Sequence, residues 1–131
     1  MTSAPLPVPL QRFLSDCIDS VEQVEILAVM HGTARWWTAR ELASEIYLSP
    51  AGAARELERL AGRGLLEVHL GTDLLYRVSA LSQSQAQAIS ALMDVYPTHR
   101  VEILGHIIAT KGRALRHFAE AFRFRKDDRS G

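Results

Sequence analysis

Residues 38–64 read TARELASEIYLSPAGAARELERLAGRG, and the fold turns on how this stretch is parsed. Thr38 followed by Glu41 three positions later is a capping box, in which each side chain satisfies a free amide at a helix start. Leu42, Ala43 and Ile46 then recur at helical spacing. The chain turns through Tyr47-Leu48 into Ser49-Pro50. Serine is a favoured N-cap, and proline suits the first helical position because its missing N–H has no partner there anyway. The second helix runs to about Ala61, and Gly62 or Gly64 stops it. Laying that helix out at 100° per residue puts Ala53, Ala54, Leu57 and Leu60 on its buried side. Arg55 and Arg59 then occupy the opposite side, flanked by Gly52 and Arg63. Small Ala43 allows the two helices to cross at a steep angle, with Leu48 of the turn closing their shared core.

The flanks extend this unit in both directions. Upstream, Ser20 and Gln23 resemble a second capping box, opening a helix whose inner face is Val21, Val24, Leu27 and Ala28. Gly32 is placed to end it in a left-handed turn. Trp36-Trp37 is bulky enough for a short edge strand. Before it, Leu10, Phe13, Leu14, Cys17 and Ile18 form one apolar stripe, which predicts a first helix over residues 10–19. Pro5, Pro7 and Pro9 make residues 1–9 an expected mobile arm. Downstream, Leu66, Val68 and Leu70 alternate with Glu67 and His69. Gly71-Thr72-Asp73 provides a turn, and Leu74, Tyr76 and Val78 alternate back, which predicts a β-hairpin.

From Gln83 the composition is helical again. Ala86, Ile89, Leu92, Met93 and Tyr96 predict a helix ending before Pro97. Thr98 caps the next, with Val101, Leu104, Ile107 and Ile108 as its stripe. A break near Thr110-Lys111-Gly112 separates it from a last helix carrying Leu115, Phe118 and Phe122. The expected organisation is an arm over 1–9, a helix-turn-helix domain with its hairpin over 10–80, a helical extension over 81–124 and a charged tail over 125–131.

The set Thr38-Ala39-Arg40-Glu41-Leu42-Ala43, Leu48-Ser49-Pro50, Ala54 to Leu60, Gly64-Leu65-Leu66 and Tyr76-Arg77 resembles the DNA-binding part of bacterial winged helix-turn-helix transcriptional regulators, broadly MarR-like. The resemblance covers about half of the chain. It implies a mainly α fold with a small β-wing, flanked by an N-terminal helix and C-terminal helices. It also implies that residues 50–61 form the recognition helix of a transcriptional regulator that enters the major groove of double-stranded DNA. Arginines at i and i+4 on that helix can reach a guanine edge or phosphates, and Ser49 with the first helical amides can hold a phosphate. The expected DNA-binding residues are therefore Ser49, Gly52, Arg55, Arg59, Arg63 and, on the wing, Arg77.

Charge argues the other way. The chain balances 15 basic against 15 acidic residues. Through Ala80, seven basic residues face ten acidic ones, a balance of −3; from Leu81 onward eight face five, a balance of +3. Glu56 and Glu58 are poor neighbours for phosphates, and the wing tip carries Asp73 with no lysine. The alternative function is thus a winged helix used for protein–protein interaction or dimerisation without DNA. The apolar stripes of the terminal helices predict a homodimer, or equally a cap packed within one chain. If the terminal helices dimerise near the groove, their basic residues can add phosphate contacts that the reader half lacks.

Other classes find little support. Cys17 is the only cysteine, so an intrachain disulfide is impossible. His99, Glu102 and His106 share a helical face without a fourth ligand, so no metal and no cofactor is expected. No nucleophile–base set or glycine-rich phosphate loop is present, and the chain is read as no enzyme. No signal peptide or membrane-spanning run appears, so a cytoplasmic location is expected.

Overall fold

The computed structural model describes the backbone of residues 6–130 and the side chains of residues 6–112. Among the described residues the elements run α1 (Val8–Cys17), α2 (Val21–Gly32), α3 (Ala39–Ile46), α4 (Pro50–Gly62), β1 (Leu66–Leu70), β2 (Leu74–Val78) and α5 (Gln83–Ser130). This is the winged helix order, with helices at either end.

The helix-turn-helix forms as its caps dictate. Thr38 Oγ1 accepts from the Glu41 amide at 3.1 Å and Glu41 Oε1 accepts from the Thr38 amide at 2.9 Å. Ser49 Oγ accepts from the Gly52 amide at 3.0 Å, with Pro50 at the first helical position. At its other end α4 closes in a Schellman motif. Leu65 N–H reaches the Leu60 carbonyl at 3.1 Å and Gly64 N–H the Ala61 carbonyl at 3.0 Å. Gly64 takes φ +81°, so it is the glycine that stops the helix.

β1 and β2 pair antiparallel, with Leu66 opposite Val78, Val68 opposite Tyr76 and Leu70 opposite Leu74. Trp37 adds a single bridge to Tyr76, so the expected edge strand shrinks to one residue. Val24, Leu27, Leu42, Leu57, Leu60 and Leu65 are fully buried and join Trp37 and Tyr76 in the core of the module. Ala53 is also buried, while Ala54 is only half-buried.

Three expectations need correction. First, α1 starts at Val8, inside the segment expected to be a mobile arm, and Leu6 is buried. Proline at N-cap and second position is compatible with helix there, since first-turn amides need no intrahelical acceptor. The side chain of Gln11 also ties back to the Leu6 carbonyl at 2.7 Å. Residues 1–5 lie outside the described residues. Second, Gly32 does not end α2 in a left-handed turn; the helix includes it and leaves through Thr33 in extended conformation (φ −128°). Third, α5 is one element. It bends at Pro97, where His99 takes φ −122° and ψ 29°, and continues past residues 110–112 and through the expected charged tail to Ser130. At the bend Thr98 Oγ1 donates to the Val95 carbonyl at 3.2 Å. An interior glycine such as Gly112 costs only about 1 kcal/mol relative to alanine, less than abandoning the hydrogen-bond ladder.

α1 packs on α5 as a second layer, with Leu10, Phe13, Leu14 and Ile18 facing Ile89, Leu92, Ile103 and Ile107. The apolar stripe expected on the distal part of α5 is rotated. Ile103 and Ile107 are buried, whereas Val101 is 81% and Ile108 64% exposed. The side chains of Leu115, Phe118 and Phe122 lie outside the described residues.

Candidate nucleic-acid interface

The outward face of α4 is held rigidly, because its inward face (Ala53, Leu57, Leu60) is wholly buried and both of its ends are capped. On it the structure brings together four of the six residues expected from the sequence. Ser49 is exposed at the cap and Gly52 lies one turn further on. Arg55 is exposed with no side-chain partner among the described residues, and Arg59 is exposed one turn beyond it. A Cβ on Gly52 would stand 3.0 Å from Ser49 Oγ, so glycine leaves the capped amide turn open to a partner.

The acidic residues on this helix are not equivalent. Glu56 turns away from the face. Its Oε2 accepts from Gln23 Nε2 at 2.9 Å and Ser20 Oγ at 3.3 Å, and its Oε1 accepts from Arg59 Nη1 at 3.1 Å. The anion that made α4 look unfavourable for phosphates is therefore spent on α2 and on Arg59. Glu58 stays exposed. Gln23 does not close the capping box expected at Ser20. Its side-chain oxygen accepts from the Asp19 amide at 2.8 Å, one residue before the cap, while Ser20 Oγ caps the Gln23 amide.

The other two arginines are placed elsewhere. Arg63, beyond the end of α4, makes two bonds to the Asp19 carboxylate at 2.7 and 2.8 Å and one to the Asp16 carbonyl at 2.9 Å. It straps α4 to the turn between α1 and α2. Arg77 pairs with Glu67 across the hairpin, its guanidinium 4.4 Å from the centre of the Trp36 ring. Trp36 also packs at a tilt against His69, ring centres 5.7 Å apart. The wing tip carries exposed Leu70 and Leu74 in place of cations.

Two residues outside the expected set share the exposed surface of the helix-turn-helix. Arg40 on α3 is exposed without a side-chain partner among the described residues. Tyr47, in the turn, is 96% exposed and left-handed at φ 58°. Nothing in the local sequence marks that tyrosine, because left-handed positions are ordinarily glycine or asparagine. Histidines 99 and 106 do not converge: His99 Nδ1 lies 2.8 Å from Thr98 Oγ1, and His106 Nε2 lies 3.1 Å from Ser15 Oγ. Among the described residues no helix is long and apolar enough to cross a membrane.

No protein-family model and no curated protein matches this chain. Solved structures do. The reduced form of MarR from E. coli is similar with a TM-score of 0.53 at 15% identity, over 92% of this chain and 98% of that one. MarR in complex with operator DNA gives 0.51 at 18% identity, over 87% and 82%. The homodimeric winged helix-turn-helix DNA-binding domain of Mb0332 from Mycobacterium bovis, described as a possible ArsR-family regulator, gives 0.52 at 17% identity, over 76% and 93%. At such identities the likeness concerns architecture: the chain has the winged helix-turn-helix fold, extended at both ends by helices.

Proposed function

We propose that this chain is a DNA-binding transcriptional regulator in which α4 enters the major groove of double-stranded DNA. The observation that carries the reading is the state of the outward face of α4. Arg55 stands exposed and unpaired on a rigid helix whose capped N-terminal turn is open, and the nearest anion, Glu56, is turned inward. Exposed guanidiniums on a fixed helix face supply phosphate and guanine contacts. Similar architectures reinforce this, since MarR has been captured on operator DNA.

Within this reading Ser49, Gly52, Arg55 and Arg59 form the contact surface, Arg59 exchanging Glu56 for DNA. Arg63 and Arg77, engaged within the chain, act by holding α4 and the wing in place. The role is binding, without catalysis, and a cytoplasmic location follows from the partner. The test is a fluorescence titration of duplex DNA with wild type and an Arg55→Ala, Arg59→Ala variant. Weakened binding with unchanged circular dichroism supports the reading, and unchanged binding refutes it.

The same reading includes a homodimer through the terminal helices. Val101, Leu104 and Ile108 fall at i, i+3 and i+7 on α5, half or more exposed, while the adjacent face of the same helix is already packed on α1. An amphipathic helix with a second, uncovered apolar face is suited to a second copy of the chain. Two-fold symmetry would then present two α4 helices to a palindromic site. The Mb0332 domain of similar fold is homodimeric.

A further inference from the structure

We infer that Tyr47 is a DNA-contacting residue whose phenol hydroxyl donates a hydrogen bond to a backbone phosphate beside the N-terminus of α4. The inference rests on the reading of α4 as the recognition helix.

Two independent observations single this residue out. Its side chain is 96% exposed, more than any other large hydrophobic among the described residues. Its backbone sits at φ 58° and ψ 36°, and no other non-glycine described residue has positive φ. The turn imposes that conformation. The N–H groups of both Tyr47 and Leu48 converge on the Ala43 carbonyl, which requires a left-handed residue at position 47. Glycine would adopt it without strain, whereas a bulky L side chain is disfavoured there. The ring returns nothing to the fold: among the described residues it has no ring contact and no hydrogen bond. Position 47 therefore carries a residue that is strained, solvated and idle in the free protein. Such outliers concentrate where a partner binds.

Its place defines the partner chemistry. Tyr47 lies two residues before the N-cap Ser49, at the end of α4 where the helical amides are free and partial positive charge accumulates. Duplex bases are stacked and offer no face to the ring, so the exposed group with a use there is the hydroxyl. Tyrosine hydroxyls are established donors to phosphate oxygens in protein–DNA contacts. Such a contact is independent of sequence. Being uncharged, it displaces no counterion and leaves the salt dependence of binding unaltered.

The test is an anisotropy titration of a fluorescein-labelled, mixed-sequence duplex across a salt series, using wild type, Tyr47→Phe, Tyr47→Gly and Arg55→Ala. Tyr47→Phe is expected to raise Kd about three- to tenfold at every salt concentration with the log–log slope unchanged. Tyr47→Gly is expected to lose at least as much affinity while its thermal midpoint equals or exceeds that of wild type, since strain is relieved. Arg55→Ala reports on the underlying reading by flattening the slope. Wild-type binding by both Tyr47 variants, with the slope of Arg55→Ala flattened, overturns the inference and leaves the reading of α4 standing. Loss in Tyr47→Gly alone assigns the contact to the ring and overturns the hydrogen bond. Absence of salt-dependent binding by the wild type overturns both.

Discussion

The amide of Gln23 donates to the carboxylate of Glu56 across 2.9 Å, joining α2 to the inner flank of α4. Gln23 is fully buried, and its side-chain oxygen is already taken by the Asp19 amide. Glu56→Ala would leave a buried donor without an acceptor. The expected cost is about 1–3 kcal/mol of stability in urea unfolding, the penalty of an unmade buried hydrogen bond. A loss within measurement error contradicts the network. Glu56→Gln keeps an acceptor for Gln23 but removes the charge that holds Arg59, so its affinity for duplex DNA is expected to rise.

That network shows which parts of the protein could be read in advance. Thr38 with Glu41, Ser49 with Pro50, and the alternation from Leu66 to Val78 are local patterns whose meaning is fixed within a few residues. The fold followed from them. The fate of the charges did not, because it depends on distant partners: Glu56 finds Gln23 and Ser20 on α2, and Arg63 finds Asp19 beyond the other end of α1. A helical wheel places Arg63 beside Arg55 and says nothing of Asp19. α5 misled for a related reason. Pro97 and Gly112 are local stop signals, but packing of Ile89 and Leu92 before the bend and Ile103 and Ile107 after it holds both halves on one side of the molecule.

Gly64 is a sharp test of the α4 exit. Its φ of +81° disfavours any L side chain, and an added Cβ would lie 2.9 Å from Leu81 Cδ1. Gly64→Ala is expected to cost about 1–2 kcal/mol, with the denaturant slope unchanged. Full stability in that variant would show that the Schellman geometry is wrong.

The α3 cap should respond to pH. Hydrogen bonds from the Thr38 backbone and side chain, with the nearby Arg35 guanidinium, hold the Glu41 carboxyl below its ordinary value of 4.5. A depressed carboxyl stabilises the fold above its unfolded pKa, and the contribution is lost as pH falls through the folded value. The Glu41 carboxyl, followed by NMR, is therefore expected to titrate below 4.5 in wild type and to move back toward it in Thr38→Ala. An identical midpoint in the two proteins contradicts the capping box.

Charge on the uncovered face of α5 should separate the copies. Val101→Glu with Ile108→Glu replaces exposed side chains, so circular dichroism and unfolding are expected to remain close to wild type. Sedimentation equilibrium at micromolar concentration is expected to change from dimer to monomer. A dimer that survives both charges places the interface elsewhere, and a monomeric wild type removes it.

The central claim is that α4 binds DNA through exposed guanidiniums, and the salt dependence of wild-type binding to duplex DNA measures it most directly. Each phosphate neutralised contributes about −0.9 to the slope of log K against log salt. The account predicts a steep negative slope for the wild type, reduced by about one for Arg55→Ala. A wild type that does not bind, or whose binding is indifferent to salt, contradicts it and leaves α4 as a surface for protein partners.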